Sequence, residues 1–383
     1  MADVSGICAP RFEILHDLLS GSLDAGTDVG ASLAVTIDGE LVVDLWGGHA
    51  DEARTTPWEK DTITNVWSTT KTMTSLAALV LVDRGELDVY APVARYWPEF
   101  ARNGKEEIAV RHLLSHTSGL ASWEPDVTAE DIYDLERSTA ALAAQAPWWE
   151  PGTASGYHAL NQGHLVGEVI RRITGRTLGR FFAEEIAGPL DADFHIGLAP
   201  EHDNRVSLVI PLTEPPLDAN SFPAGDPRHR YASGPALDAT APHDPQWRRA
   251  EIGAANGHGN ARSVARIQAV VANGGTVDGV TLLSPDTIEL IFDEQANGPD
   301  LILELPYRFG IGYGIADSTL RPDLPDGRIC FWGGWGGSSI VIDCDRRMTV
   351  AYMMNKMISS EAGDDRSEAI NRATYAALGV ATT

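Results

Sequence analysis

Residues that alternate between apolar and polar occur at the two ends of this chain, and that placement constrains the fold more than any motif does. Gly30 to Trp46 alternates, breaks at Asp38-Gly39 and alternates again, which predicts a hairpin. Strand patterns return only after Pro306: Phe309 to Ile315, Arg328 to Trp332, Ser338 to Cys344 and Met348 to Met354. The last three read as an antiparallel meander, turned at Gly333-Gly334 to Gly337 and at Asp345-Arg346-Arg347. Helical spacing marks Pro10 to Ser20 and Asp365 to Leu378 outside these strands. Between the strand sets, from Leu87 to about Pro299, helical pieces dominate: Val110 to His116, Thr128 to Gln145, Leu160 to Thr174, Leu178 to Ile186 and Ala261 to Asn273. The expectation is an α/β (α+β) fold. One antiparallel sheet is built from both chain ends and flanked by terminal helices, with a mostly helical domain inserted. The predicted domains are residues 1–86 with 300–383, and residues 87–299. Within the second, residues 208–249 are rich in Pro, Asp and Ala with little periodicity; a loop that long is usually functional, and it reads as a cover over a site.

The chemistry-bearing stretch is Asn65 to Lys71, followed by a Leu- and Ala-rich helix that runs to Gly85. Helical spacing puts Ser68 and Lys71 one turn apart on one face. Of 29 basic residues only four are lysines, Lys60, Lys71, Lys105 and Lys356. Arginine keeps its proton, whereas a desolvated lysine gives it up, so a lysine beside a serine and before a buried helix suits a nucleophile–base pair.

At 383 residues the chain can bury a large core, as one domain or two intimately packed ones. The net charge of −25 repels nucleic acid and anionic membrane surfaces. The N-terminus lacks the pattern of a secretion signal, and Leu76 to Val82, the longest strongly apolar run, is far too short to span a bilayer. Three cysteines, Cys8, Cys330 and Cys344, fit a reducing compartment. The expected location is the cytoplasm. No G-x-S-x-G, H-E-x-x-H or C-x-x-C pattern occurs, so neither an α/β-hydrolase elbow nor a metal site is predicted, and no cofactor is implied. His112, His116, His158 and His258 read as structural.

Three separated motifs carry a resemblance. They are Ser68-Thr69-Thr70-Lys71, then Pro151-Gly152-Thr153-Ala154-Ser155-Gly156-Tyr157, and Trp332-Gly333-Gly334 on a C-terminal strand; the run Leu113 to Leu120 (LLSHTSGL) adds to them. Together they resemble the serine β-lactamase and penicillin-binding protein superfamily. Within it the chain is most similar to the class C β-lactamase-like esterases, the family VIII carboxylesterases.

The resemblance implies the β-lactamase/transpeptidase-like fold over essentially the whole chain. It implies an acyl-enzyme on Ser68, with Lys71 and Tyr157 handling protons, and an oxyanion hole made by the backbone N–H groups of Ser68 and Trp335. Trp332, Gly333 and Gly334 would line the substrate. A phenol near a lysine ammonium would have a depressed pKa. Two departures point to substrate. Penicillin-recognising members carry a basic residue where Trp332 stands, and Ala159 replaces an Asn or Ser. Both changes favour neutral, apolar acyl groups, hence short-chain esters. Trp67, Trp148, Trp149 and Trp335 are expected around the acyl group. Acyl transfer to an alcohol, weak β-lactamase or D-amino-acid peptidase activity, and a non-catalytic binding role are the alternatives. The number of subunits, a homo-oligomer included, stays open.

Overall fold

The computed structural model describes residues 2–212, 217–236, 238–359 and 364–382. Strands from the two chain ends meet in the middle of one antiparallel sheet. Among the described residues it has nine strands, in the order Val4–Cys8, Glu40–Gly48, Gly30–Ile37, Met348–Met354, Ser339–Asp343, Ile329–Gly333, Gly314–Ile315, Pro306–Phe309 and Ala296–Pro299. The seam runs from Ile37 opposite Met348 to Ala31 opposite Met354. Both seam strands are buried almost throughout, so the sheet is covered on both faces. The Ala261–Ala272 helix lies against three of its central strands. The terminal helices, Glu13–Ala25 and Asp365–Ala377, pack on each other.

The Thr70–Asp83 helix is buried on every side from Thr70 to Leu81, which marks it as the core element it was expected to be. The Asn161–Thr174 helix packs beside it. A small four-stranded sheet, containing Ile63–Asn65 and His258–Gly259, leads the chain into the Ser68 turn. No helix among the described residues is long and apolar enough to cross a membrane.

Several boundaries differ from expectation, each for a local reason. Thr128 to Gln145 is two helices, Ala129–Tyr133 and Leu135–Ala144. Asp134 turns extended between them, and its carboxylate accepts the N–H groups of Glu136 and Arg137. Leu178 to Ile186 holds one α-helical turn and then widens into a π-helix at Ala183–Ala187. Phe309 to Ile315 is not one strand: the chain reverses between Phe309 and Gly314, closed by Gly310 N–H donating to Tyr313 O at 2.9 Å. Val4–Cys8 adds an edge strand that the sequence pattern did not indicate.

The long 208–249 segment includes residues 213–216 and 237, which lie outside the described residues. The rest carries structure. Pro227–Ser233 and Pro245–Arg249 are short helices, each opened by an aspartate cap followed by proline at the first helical position. Arg228 pairs with Glu304, and Arg230 pairs with Glu124 at 2.9 Å, which ties the first of these helices to two separate parts of the molecule.

Candidate active site

The site begins with an unusual backbone. Trp67 adopts φ +49, a left-handed conformation that is strained for a bulky residue. The Trp67–Thr69 turn is a tight 3-10 turn, so Ser68 sits just ahead of the α-helix rather than on it. Neighbours hold the turn in place. Val66 N–H donates to Gly257 O at 2.9 Å, and the Trp67 ring is wedged between Trp335 (5.2 Å between centroids) and Trp247 (5.7 Å). Ser68 itself stays partly exposed.

Lys71 is fully buried. Its Nζ lies 3.2 Å from Ser68 Oγ, 2.8 Å from Ala159 O and 2.9 Å from Ala254 O. No salt bridge reaches it among the described residues. Burial alone drives its pKa well below the ordinary lysine value. As an ammonium its three N–H groups serve Ser68 Oγ and the two carbonyls; once it gives up a proton, two N–H groups stay on the carbonyls and the lone pair faces the Ser68 hydroxyl.

Tyr157 is set by three consecutive backbone donors. Gly156 N–H donates to His116 O (2.9 Å), Tyr157 N–H to Asp300 Oδ1 (3.0 Å) and His158 N–H to His116 Nδ1 (3.1 Å). The His116 ring lies 4.9 Å from the Tyr157 ring, and Trp332 stacks on Tyr157 at 6.2 Å. The side chains of Ser68 and Trp332 lie beside the phenol and act to lower its pKa. Its pKa is raised, chiefly by burial, which corrects the expected depression: desolvation of the phenol outweighs what Ser68 and Trp332 do to lower it.

The Trp332–Gly334 strand end closes the site. A Cβ on Gly334 would stand 2.4 Å from Val66 O, 2.2 Å from Ser338 Oγ and 3.2 Å from Ser68 N, so only glycine fits. Ser338 Oγ donates to Val66 O at 2.7 Å and meets Thr69 Oγ1 at 3.0 Å, riveting this strand to the Ser68 turn. Gly334 O accepts from Gly337 N–H at 3.0 Å. In a trans peptide the Trp335 N–H points opposite to that carbonyl, out of the turn. Neither the Ser68 nor the Trp335 N–H has a backbone acceptor among the described hydrogen bonds.

The structure therefore brings Ser68, Lys71, Tyr157, Trp332, Gly334 and Trp335 together, with Gly333 on the same strand. Of the four tryptophans expected around the acyl group, Trp67 and Trp335 pack together, and Trp149 packs against Gly156, the residue before Tyr157. Trp148 hydrogen-bonds Glu124 at 3.0 Å and lies under Arg230, and Trp149 donates to Ala154 O at 3.0 Å. Trp247 packs on Trp67, the ring that also meets Trp335. Ala254, Ser338, Asp300 and His116 also contribute and were not singled out for the site. Among the described residues no group of three or more His, Cys, Asp or Glu is placed to hold a metal.

The Beta-lactamase family pattern matches residues 17–375. The chain is 34% identical to the Esterase/beta-lactamase LipL of Mycobacterium tuberculosis (strain ATCC 25618 / H37Rv) over 369 residues, covering 93% of this chain and 84% of that one. A crystal structure of a family VIII carboxylesterase superposes with TM-score 0.91 at 38% identity, covering 98% of this chain and all of the other. The structure of EstA from Arthrobacter nitroguajacolicus Rue61a superposes with TM-score 0.85 at 30% identity, covering 98% of each chain. The chain belongs to the beta-lactamase family of serine hydrolases, with the fold of a family VIII carboxylesterase.

Proposed function

We propose that the protein is a carboxylesterase that hydrolyses short-chain esters through an acyl-enzyme on Ser68. The observation that carries this reading is the buried Lys71 Nζ, held by two carbonyls and 3.2 Å from Ser68 Oγ. Ser68 Oγ attacks the acyl carbon while its proton passes to Lys71. The carbonyl oxygen becomes an oxyanion, received by the N–H groups of Ser68 and Trp335. Collapse breaks the ester C–O bond, and the alkoxide leaves with a proton from Tyr157, which is restored from the Lys71 ammonium. Water then attacks the acyl-enzyme by the reverse route, and Ser68 regains its proton as the acid departs.

The likeness to an esterase/beta-lactamase and to carboxylesterases supports this substrate class. Trp332 supports neutral acyl groups, because an indole offers no cation to a substrate carboxylate. The net charge of −25 supports a partner set without nucleic acid or membrane, and three free cysteines support the cytoplasm. The division at residues 1–86 with 300–383, against 87–299, is part of the same reading.

The test is mass spectrometry after a phosphonate probe, with p-nitrophenyl butyrate as substrate. The expected result is a single adduct on Ser68 and an inert Ser68→Ala variant that stays folded. An adduct on any other residue overturns the site. Acyl transfer uses the same intermediate; ester formation with added alcohol would reveal it.

A further inference from the structure

A buried charge cluster sits directly behind the strand turn that carries Trp335. Arg366, at the start of the last helix, donates from Nη2 to Gly336 O at 2.7 Å, and from Nη1 to Lys356 O at 3.0 Å. The same guanidinium pairs with Asp28 at 2.8 Å and with Asp364 at 2.6 Å. Asp28 also accepts from Tyr352 Oη at 2.7 Å and from Ser22 Oγ. Asp364 caps the last helix through the N–H groups of Arg366 and Ser367, both at 2.9 Å. All three charged groups are buried.

Such a cluster is an expensive way to hold two helices together, because each desolvated charge must be repaid by geometry. Apolar residues of similar volume would join the terminal helices at lower cost. The cluster also borders a cavity of about 200 Å³, so hydrogen bonds hold the guanidinium more than close packing does. What an apolar replacement could not supply is the donor to Gly336 O. Ile358 N–H also donates to Gly336 O, at 3.1 Å, so the guanidinium is the second donor on that carbonyl and the charged one. Gly336 and Gly337 both have positive φ, and a Cβ on Gly337 would fall 2.0 Å from Asp364 Oδ2 and 2.3 Å from Arg366 Nη2. The backbone of the turn is thus pressed onto the ion pair with no side chain between them.

We propose that Arg366 is a positioning residue for the oxyanion hole. It fixes the Gly336–Gly337 peptide by its carbonyl; the N–H of that peptide donates to Gly334 O at 3.0 Å and so orients the Gly334–Trp335 peptide that carries the Trp335 N–H, while Asp28, Asp364 and Tyr352 fix the guanidinium. This inference rests on the acyl-enzyme reading above. Arginine is needed because one planar fork serves two carboxylates and two carbonyls at once; a lysine ammonium has three donors and no fork.

The experiment uses the full chain. Wild-type enzyme is first labelled with the phosphonate; absence of a Ser68 adduct sinks the acyl-enzyme reading and the Arg366 assignment with it. Given that adduct, Arg366→Lys is assayed on p-nitrophenyl butyrate and titrated with an alkyl boronic acid, which presents a tetrahedral oxygen to the same donors. The expected result is a loss in kcat of about tenfold or more, an equal loss in boronate affinity, and KM within about threefold. A merely structural role would lower the active fraction without changing boronate affinity in the fraction that remains. A folded Arg366→Lys variant with unchanged kcat, or one whose loss lies wholly in KM, overturns the proposal. Should that variant fail to fold, Tyr352→Phe removes one anchor of Asp28. It is expected to lower kcat about two- to fivefold at constant KM, and unchanged kcat overturns the proposal.

Discussion

Lys71 Nζ stands 4.7 Å from the centroid of the Tyr157 ring, and the same burial drives the two groups' pKa values apart, the amine down and the phenol up. The base at rest is therefore the amine. kcat/KM should rise with pH through the lowered Lys71 pKa, with no alkaline limb from Tyr157 in the ordinary assay range. Lys71→Arg keeps a positive charge but supplies no transferable proton, so it should cost about a hundredfold or more in kcat. A pH–rate profile on p-nitrophenyl butyrate checks both statements, and a Lys71→Arg enzyme that kept most of its activity would remove Lys71 from proton transfer.

The same burial has a price in stability that depends on pH. The folded-state pKa of Lys71 lies below its unfolded value of 10.5. Between the two values the unfolded chain binds the extra proton, so wild-type stability rises with pH across that window, by up to about 1.4 kcal/mol per pH unit, and is complete above the unfolded pKa. Lys71→Met has no such titration. Denaturant melts of the two proteins from pH 7 to pH 10 should show wild type gaining on Lys71→Met as pH rises. A constant difference would mean that Lys71 is charged in the folded protein.

Gly334 and Ser338 make a pair with opposite demands. Gly334→Ala places a methyl group 2.2 Å from Ser338 Oγ and 2.4 Å from Val66 O, which must push the strand off the Ser68 turn. Displacing the Trp335 N–H by that movement should cost about a hundredfold in kcat, the usual effect of losing one oxyanion donor. Ser338→Ala instead removes the 2.7 Å donor to Val66 O and leaves that carbonyl only the Thr69 N–H at 3.2 Å, at a cost of about 1 kcal/mol in stability. Steady-state kinetics and melts on the two variants separate the effects: the first should lose rate well beyond stability, and the second should lose both.

The parts legible in the sequence are those that spacing or alternation encodes. The seam between Gly30–Ile37 and Met348–Met354 was readable because both strands alternate in long runs, and Ser68 with Lys71 because three residues make one turn. Val4–Cys8 was not, since it is a short, largely exposed edge strand with a glycine at its centre. Ala254 left no trace because it acts through a backbone carbonyl, which every residue owns. Trp148 and Trp149 were grouped with Trp67 by residue type, and type carries no distance. The direction of the Tyr157 shift needed the burial of both partners, which only the fold supplies.

Trp332 offers the sharpest separation of shape from hydrogen bonding at the site. Its indole stacks on Tyr157 at 6.2 Å and packs tilted on His116 at 5.5 Å, and it acts on the phenol to lower its pKa. Phenylalanine at this position retains an aromatic face but has no N–H. Trp332→Phe therefore removes a group that favours the phenolate formed when Tyr157 gives up its proton, and that charge exists only along the reaction path. The loss should fall on kcat, by about tenfold, with KM nearly unchanged. It should also be larger for esters of poor leaving alcohols than for p-nitrophenyl esters, because a p-nitrophenolate departs without a proton. Equal losses on ethyl butyrate and p-nitrophenyl butyrate would show that Trp332 acts through packing and that Tyr157 does not protonate the leaving group.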